Sequence, residues 1–485
     1  MVLGYSLKDI YLGESDGKKE ARYKPNFEEF FYDHNGIYHD VMNPQNYLIL
    51  GRKGTGKSIL GEVIKKKASL EADKFCKLCS YKEFKFHELV QLKNTDIKPN
   101  EYISIWEWVI YIEFGKLILD DNSISHQDDW KKLKIFFDKN FYSSKLDAMK
   151  ILEITKQNRF SGSLLKSFTG EHNAIKKFGT GSYLNYLEDL KEVVNSLISV
   201  SENKYTLIYD ELDDRFRNEE VYKHSIISLL KAADKINLDL YDISPNSKII
   251  ILLRTDIFAL LNDPDLNKIK RCNGVTIDWG RKNNKDSPLF DLIVNKIRKS
   301  ISDLDKKTRE EIFKEFFPDQ KIFKDTSDKY LLSRTFFRPR DIIEYLNIII
   351  RKHPTSKSFD ARFFETLDAE YSEYFILESR NELSGYLDDA EIDGFFNLLK
   401  QYGKIEFHYN DILEYYQSNS KFYGELDIPR IITQFFDMSI IGNMWYNKFK
   451  RQLYYNYKYR DDTATVNFNQ KFVIHKGFRK ALKLW

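Results

Sequence analysis

Gly51-Arg52-Lys53-Gly54-Thr55-Gly56-Lys57-Ser58 fulfils the pattern G-x-x-x-x-G-K-[ST] at every position. Glycines in such a loop let backbone N–H groups turn inward around a phosphate. The lysine reaches the β- and γ-oxygens, and the serine hydroxyl suits Mg²⁺. Tyr47-Leu48-Ile49-Leu50 before the loop is apolar and strand-like, and Ile59-Leu60-Gly61-Glu62-Val63-Ile64 after it has helical spacing. A phosphate would therefore rest on a helix N-terminus. The alternative is a chance match in a glycine turn, and the flanking strand and helix weigh against it. Gly51, Arg52, Lys53, Gly54, Thr55, Gly56, Lys57 and Ser58 are the expected ATP-binding residues. Ser58 is the expected ligand for Mg²⁺, and Lys57 is expected to serve the reaction as well.

Outward from the loop, Tyr205-Thr206-Leu207-Ile208-Tyr209-Asp210-Glu211 is an apolar strand that ends in two acids. Lys248-Ile249-Ile250-Ile251-Leu252-Leu253-Arg254-Thr255 is a second buried strand, and Val275–Trp279 a candidate third. Continuous apolar runs alternating with helices predict a parallel sheet covered on both faces. Ligands bind at the carboxyl edge of such sheets, where Asp210 and Glu211 fall. Asp210 fits the role of holding Mg²⁺. Glu211 fits that of polarising an attacking water, which separates hydrolases from phosphate-loop kinases. The bland alternative is an acidic helix N-terminus favoured by the dipole. Arg254 is open to two readings, a sensor of the γ-phosphate or a buried ion pair with Asp256 or Asp210.

The chain has 485 residues, 42% hydrophobic and 31% charged, with net charge +3. That length predicts two to four domains, and the overall charge points to no polyanionic partner. No apolar run approaches a membrane span and no basic leader precedes an apolar stretch, so a soluble cytoplasmic protein is expected. Cys76 and Cys79 form one C-x-x-C with no second pair or nearby His, which suits ordinary thiols better than zinc.

The expected organisation is an N-terminal arm (1–45), an ATPase core (46–300) with a helical insertion at about 95–200, a helical lid (301–385) and a C-terminal domain (386–485). A second core strand is expected at Phe84–Leu89, and loop at 160–182. Arg334-Thr335-Phe336-Phe337-Arg338-Pro339-Arg340-Asp341 precedes an amphipathic run, and Pro339 suits the first turn of a helix. Arg338 or Arg340 can turn from a lid toward phosphate; otherwise they are a surface basic pair. Arg215, Arg217, Arg271 and Arg281 are candidate fingers for a neighbouring subunit.

This order of elements resembles AAA+/STAND-like ATPases. The phosphate loop comes first, then a strand ending in Asp210-Glu211. A strand running into Leu253-Arg254-Thr255-Asp256-Ile257-Phe258 follows, then Phe337-Arg338-Pro339-Arg340-Asp341 before a lid helix. The chain is most similar to a bacterial group of P-loop ATPases related to the origin-recognition initiator ATPases, over about 40–485. That family usually carries Asn at the end of its sensor strand, where Arg254-Thr255 stand here. The resemblance implies an α/β, parallel-sheet P-loop NTPase (ASCE/AAA+-like) core, a helical lid and a C-terminal winged helix. It further implies a homo-oligomer and, as in several such ATPases, a place in anti-phage defence alongside a protein effector.

From Met444 to Trp485 ten Lys and Arg stand against Asp461 and Asp462, with Tyr454, Tyr455, Tyr457, Tyr459, Phe468 and Phe472 interleaved. Leu453–Tyr459 and Thr463–Phe468 are expected to pair as a β-hairpin wing. Helices followed by a basic hairpin suit nucleic-acid contact. A solvated basic face or a protein-docking winged helix is the alternative. Two functions from different classes follow: an Mg²⁺-dependent regulatory ATPase, or a nucleotide-gated nucleic-acid-binding protein with little turnover.

Overall fold

The computed structural model describes residues 4–81, 99–141, 151, 184–212 and 220–484. They divide into two compact units, one of Asn35–Ile277 and one that joins Met1–His34 to Asp278–Trp485. The expected strand Phe84–Leu89, the expected loop at 160–182, and Arg215 and Arg217 lie outside the described residues.

The unit 35–277 runs β1 (Leu48–Gly51), α1 (Lys57–Ala68), β2 (Lys74–Ser80), α2 (Pro99–Leu119), α3 (Asp128–Asn140) and α4 (Leu184–Val200). It continues through β3 (Lys204–Asp210), α5 (Glu220–Ile243), β4 (Lys248–Arg254), α6 (Pro264–Asn273) and β5 (Gly274–Ile277). The strands form one parallel sheet in the order β2-β3-β4-β1-β5. With its phosphate loop, this is a P-loop α/β core. Every residue of β1 and β4 is buried, and β3 is buried from Tyr205 onward. That burial is why these segments read as unbroken apolar runs rather than as alternation.

Strand β2 was not anticipated from the sequence. It lies on the edge of the sheet and is mostly half-buried, so Lys74 and Lys77 interrupt its apolar pattern. Cys76 and Cys79 are three residues apart in it and so point to opposite faces. Burial pushes the Cys76 thiol up to about 12, and Cys79 donates to Glu113 Oε2 at 2.6 Å. Helix α2 is apolar around most of its circumference, from Trp106 to Phe114, because it packs against β2, β3, α3, α4 and α5 at once. Before β1, the buried Lys248 ammonium donates to the carbonyls of Val41, Asn43 (2.9 Å) and Asn46 (3.1 Å), tying down the turn that enters β1.

The other unit contains α7 (Pro288–Ser300), α8 (Arg309–Phe316), the short strands β6 (Lys321–Ile322) and β7 (Asp325–Thr326), α9 (Pro339–Lys352) and α10 (Ala361–Leu383). Then come α11 (Asp389–Tyr402), β8 (Glu406–Phe407), α12 (Tyr409–Asn419), α13 (Ile428–Asp437), β9 (Ile441–Asn447), β10 (Gln452–Asn456) and β11 (Lys471–Ile474). The last four strands form a sheet in the order β10-β9-β11-β8. The chain passes between the units at 34/35 and 277/278. Helix α7 is bound into the second of them. Phe290 packs edge-on against Phe313 and Phe317, and buried Lys296 pairs with buried Glu20 at 3.2 Å. The hairpin also differs from expectation. It joins Asn443–Asn447 to Gln452–Asn456, and 463–468 form no strand. Buried Tyr457 and Tyr459 leave the ladder and pack with His475 and Phe336 instead.

Candidate functional site

The register places the ends of the strands along one edge. Gly51 lies opposite both Arg254 and Ile277, and Ser80 opposite Asp210. The phosphate loop leaves β1 at this edge and enters α1. Gly54 (φ 80°) and Gly56 (φ 103°) take left-handed conformations that a side chain disfavours. A Cβ on Gly51 would stand 2.6 Å from Thr55 Oγ1, so the loop closes tightly on itself. Thr55 Oγ1 donates to the Arg52 carbonyl at 2.8 Å. Lys57, nearly buried, donates through Nζ to the carbonyls of Gly51 (2.8 Å) and Arg52 (3.1 Å). A cation therefore stands inside the loop, at the N-terminal, positive end of a helix dipole. Cation, helix N-terminus and glycine-opened backbone are the donor set that a nucleotide's phosphates require. Ser58 stands in the first turn of α1.

Asp210 closes β3, buried, and its Oδ1 accepts from the Glu211 N–H at 2.8 Å. Glu211 follows at φ 58°, left-handed and strained for a non-glycine residue, so neither acid stands inside a helix. The next described helix begins only at Glu220. Strain of this kind, on the order of 1–3 kcal/mol, persists where surrounding structure over-determines it, and it clusters at functional sites. The Ser80 hydroxyl donates to Glu211 Oε2, and the Tyr81 N–H to the Asp210 carbonyl at 3.0 Å. Ser80 is thus a positioning contact that sequence reading missed. Its only signal was that it ends a strand, and that strand was not recognised.

The arginines take different environments. Arg254 closes β4, buried, and grips Asp256 in two bonds, Nε to Oδ1 at 3.0 Å and Nη2 to Oδ2 at 2.6 Å. Of the two readings left open for it, the ion pair with Asp256 is present in the structure. In the other unit, Arg338 is the N-cap residue of α9, and Pro339 takes the first helical position, as expected. Arg338 is buried rather than a surface cation. Its Nε contacts both oxygens of Asp341 (3.1 and 3.0 Å), and Nη1 donates to Glu382 at 2.9 Å. Burial alone would lower its pKa, but the two carboxylates outweigh it and hold the guanidinium above its usual value. Arg340 donates to the Ser15 carbonyl (2.9 Å) and to Glu378 (3.1 Å). Arg281 pairs with Asp278 at 2.6 Å, and Arg271 is exposed in the last turn of α6.

Arg338→Ala should be strongly destabilising. It strands Asp341 and Glu382 in the interior, and breaking a buried pair costs about 3–5 kcal/mol. A thermal melt that matches wild type, combined with lost ATP turnover, would reverse this and make Arg338 a lid sensor.

Residues 287–378, spanning α7 through most of α10, match the family model described as the FunZ-associated C-terminal helical domain. The match covers a minor part of the chain and describes that segment alone. No curated protein matches the chain. Among solved structures, the Aeropyrum pernix ORC1 protein in complex with DNA is similar over 95% of this chain and 94% of its own. The TM-score is 0.39 and the identity 9%. Among the described residues, no helix is long and apolar enough to cross a membrane.

Proposed function

We propose that this chain is a Mg²⁺-dependent P-loop ATPase that binds and hydrolyses ATP and passes its nucleotide state to the C-terminal domain or to a partner effector. One observation carries the reading: a complete phosphate loop and the Asp210–Glu211 pair share the carboxyl edge of a single parallel sheet. The backbone of Gly51–Ser58 would cradle the phosphates, and Lys57 would exchange its two loop carbonyls for phosphate oxygens. Ser58 and Asp210 would hold Mg²⁺, whose chemistry is to neutralise charge developing on the phosphates. Glu211 would accept the proton of the attacking water as its oxygen bonds to the γ-phosphorus and the β–γ bridging bond breaks. Hydrogen bonding from Ser80 sets where that carboxylate points.

The purified chain with ATP and Mg²⁺ should release phosphate slowly, and Asp210→Ala should stop it. Wild-type turnover in Asp210→Ala would show that the acid is structural.

A second reading takes the succession α11, β8, α12, α13, β9, β10 and β11 as a winged helix, and it is favoured by the basic, aromatic hairpin of β9 and β10. In that reading the protein is a nucleotide-gated nucleic-acid binder with little turnover. Oligomerisation, a place in bacterial defence or DNA transactions, and a lid role for Arg340 extend the family resemblance and belong to the same proposal. Sedimentation with and without ATP tests the first of these.

A further inference from the structure

The hairpin of β9 and β10 overhangs its sheet. Strand β11 reaches β9 no farther than Met444, opposite Lys471. Beyond that point only β10 pairs with it, through Trp445 with Tyr454, Tyr446 with Leu453 and Asn447 with Gln452. A two-stranded ribbon standing free is marginal in water. This one is nonetheless ordered at its tip, where Asn447 Oδ1 accepts from the N–H groups of Phe449 and Lys450, each at 3.0 Å. Arg451 then turns the chain with φ 49°.

Both faces of the ribbon are aromatic and open. Trp445 and Tyr454 stack on one face, ring centroids 5.7 Å apart. Tyr446, Leu453 and Tyr455 share the other face, with Tyr446 57% exposed. Phe449 projects from the turn with its ring fully exposed. Isolated apolar side chains on a surface are ordinary, but rings on both faces and the tip of one thin ribbon form an unpartnered patch. Charge indicates the partner. From Ile441 to Arg460 there are five cations, Lys448, Lys450, Arg451, Lys458 and Arg460, and no acid. Three of them flank Phe449 in the turn.

We propose that this ribbon is a stacking platform for unpaired bases of a single-stranded nucleic acid, with Phe449, Tyr446, Trp445 and Tyr455 taking the bases and Lys448, Lys450 and Arg451 the phosphates. Aromatic side chains interleaved with cations are what a single strand binds without sequence preference, because every base has a π-face. A paired duplex hides those faces, so exposed rings on both sides of the ribbon would find no partner there. The proposal uses no residue of the nucleotide site, so it stands or falls apart from the ATPase reading.

The test is fluorescence anisotropy of the full chain with labelled oligothymidine, oligouridine and a mixed-sequence duplex of matched length, at low salt and across a salt series. Single strands should bind more tightly than duplex, and the two single-strand arms separate DNA from RNA. Phe449→Ala should weaken single-strand binding about 5- to 150-fold, the range for loss of one stacked base, and Phe449→Trp should restore it. Each of Lys448→Ala, Lys450→Ala and Arg451→Ala should flatten the log K against log salt slope by about 0.7. Phe449 contacts no core, so its variants should melt like wild type and keep wild-type ATP turnover. Equal or tighter duplex binding, or single-strand binding unaffected by Phe449→Ala, would overturn the proposal. So would the absence of any binding at low salt, and the ribbon would then be a protein-docking surface.

Discussion

Lys57→Ala is expected to raise the dissociation constant for ATP about ten- to a hundredfold, measured by calorimetry. A hydrogen bond to a charged group contributes about 1.5–3 kcal/mol, and each 1.4 kcal/mol is a factor of ten. The lysine is built into the loop before any ligand is considered: it is nearly buried and its ammonium donates to the Gly51 and Arg52 carbonyls. Its loss takes that charge from the loop, and the helix N-terminus contributes only about 0.3–1 kcal/mol toward an exposed anion. The fold should survive, because α1 is anchored by Leu60, Val63 and Ile64 rather than by the loop. Retained tight ATP binding in a folded Lys57→Ala variant would sink the nucleotide-site assignment.

Glu211→Gln should lower kcat about 10²- to 10⁴-fold, the range for a lost general base, while the affinity for ATP stays at the wild-type level. The amide keeps the size of the side chain, and its carbonyl oxygen still accepts from Ser80, but it cannot take a proton from water. Glu211→Gly removes the same carboxylate and relieves the left-handed backbone, so it should lose turnover without lowering the melting temperature. Phosphate release at the wild-type rate by Glu211→Gln would assign the acid to structure. A drop in the melting temperature of Glu211→Gly would show that the side chain stabilises the fold more than its backbone strains it.

These variants also separate the two functional readings. If the biological activity of the protein persists in Glu211→Gln, nucleotide binding suffices and hydrolysis is incidental. If it disappears with turnover, the cycle itself is required.

Local chemistry made the P-loop core legible in the chain. The phosphate loop is contiguous, so eight successive residues announce it. Strands β1, β3 and β4 are buried on both faces, so their apolar runs stand out against any background. Pro339 marks the start of α9 for an equally local reason: a ring that fixes φ and lacks an N–H suits the first helical position.

What needed the tertiary structure was every feature defined by a distant partner. Edge strand β2 carries lysines because one side of it is less covered, and only its pairing with β3 reveals it and the contact from Ser80 to Glu211. Arg338 shares a short motif with Asp341, but only the fold brings Glu382 from another helix to its guanidinium and buries all three. The hairpin lies elsewhere than its sequence pattern predicts for the same reason. Tyr457 and Tyr459 alternate like strand residues, but burial beside His475 and Phe336 outweighed the ladder. Sequence determined, by itself, the elements whose stability is local or whose burial is complete. The fold decided the pairing of charges and the register of edges, because those energies depend on contacts between residues far apart in the chain.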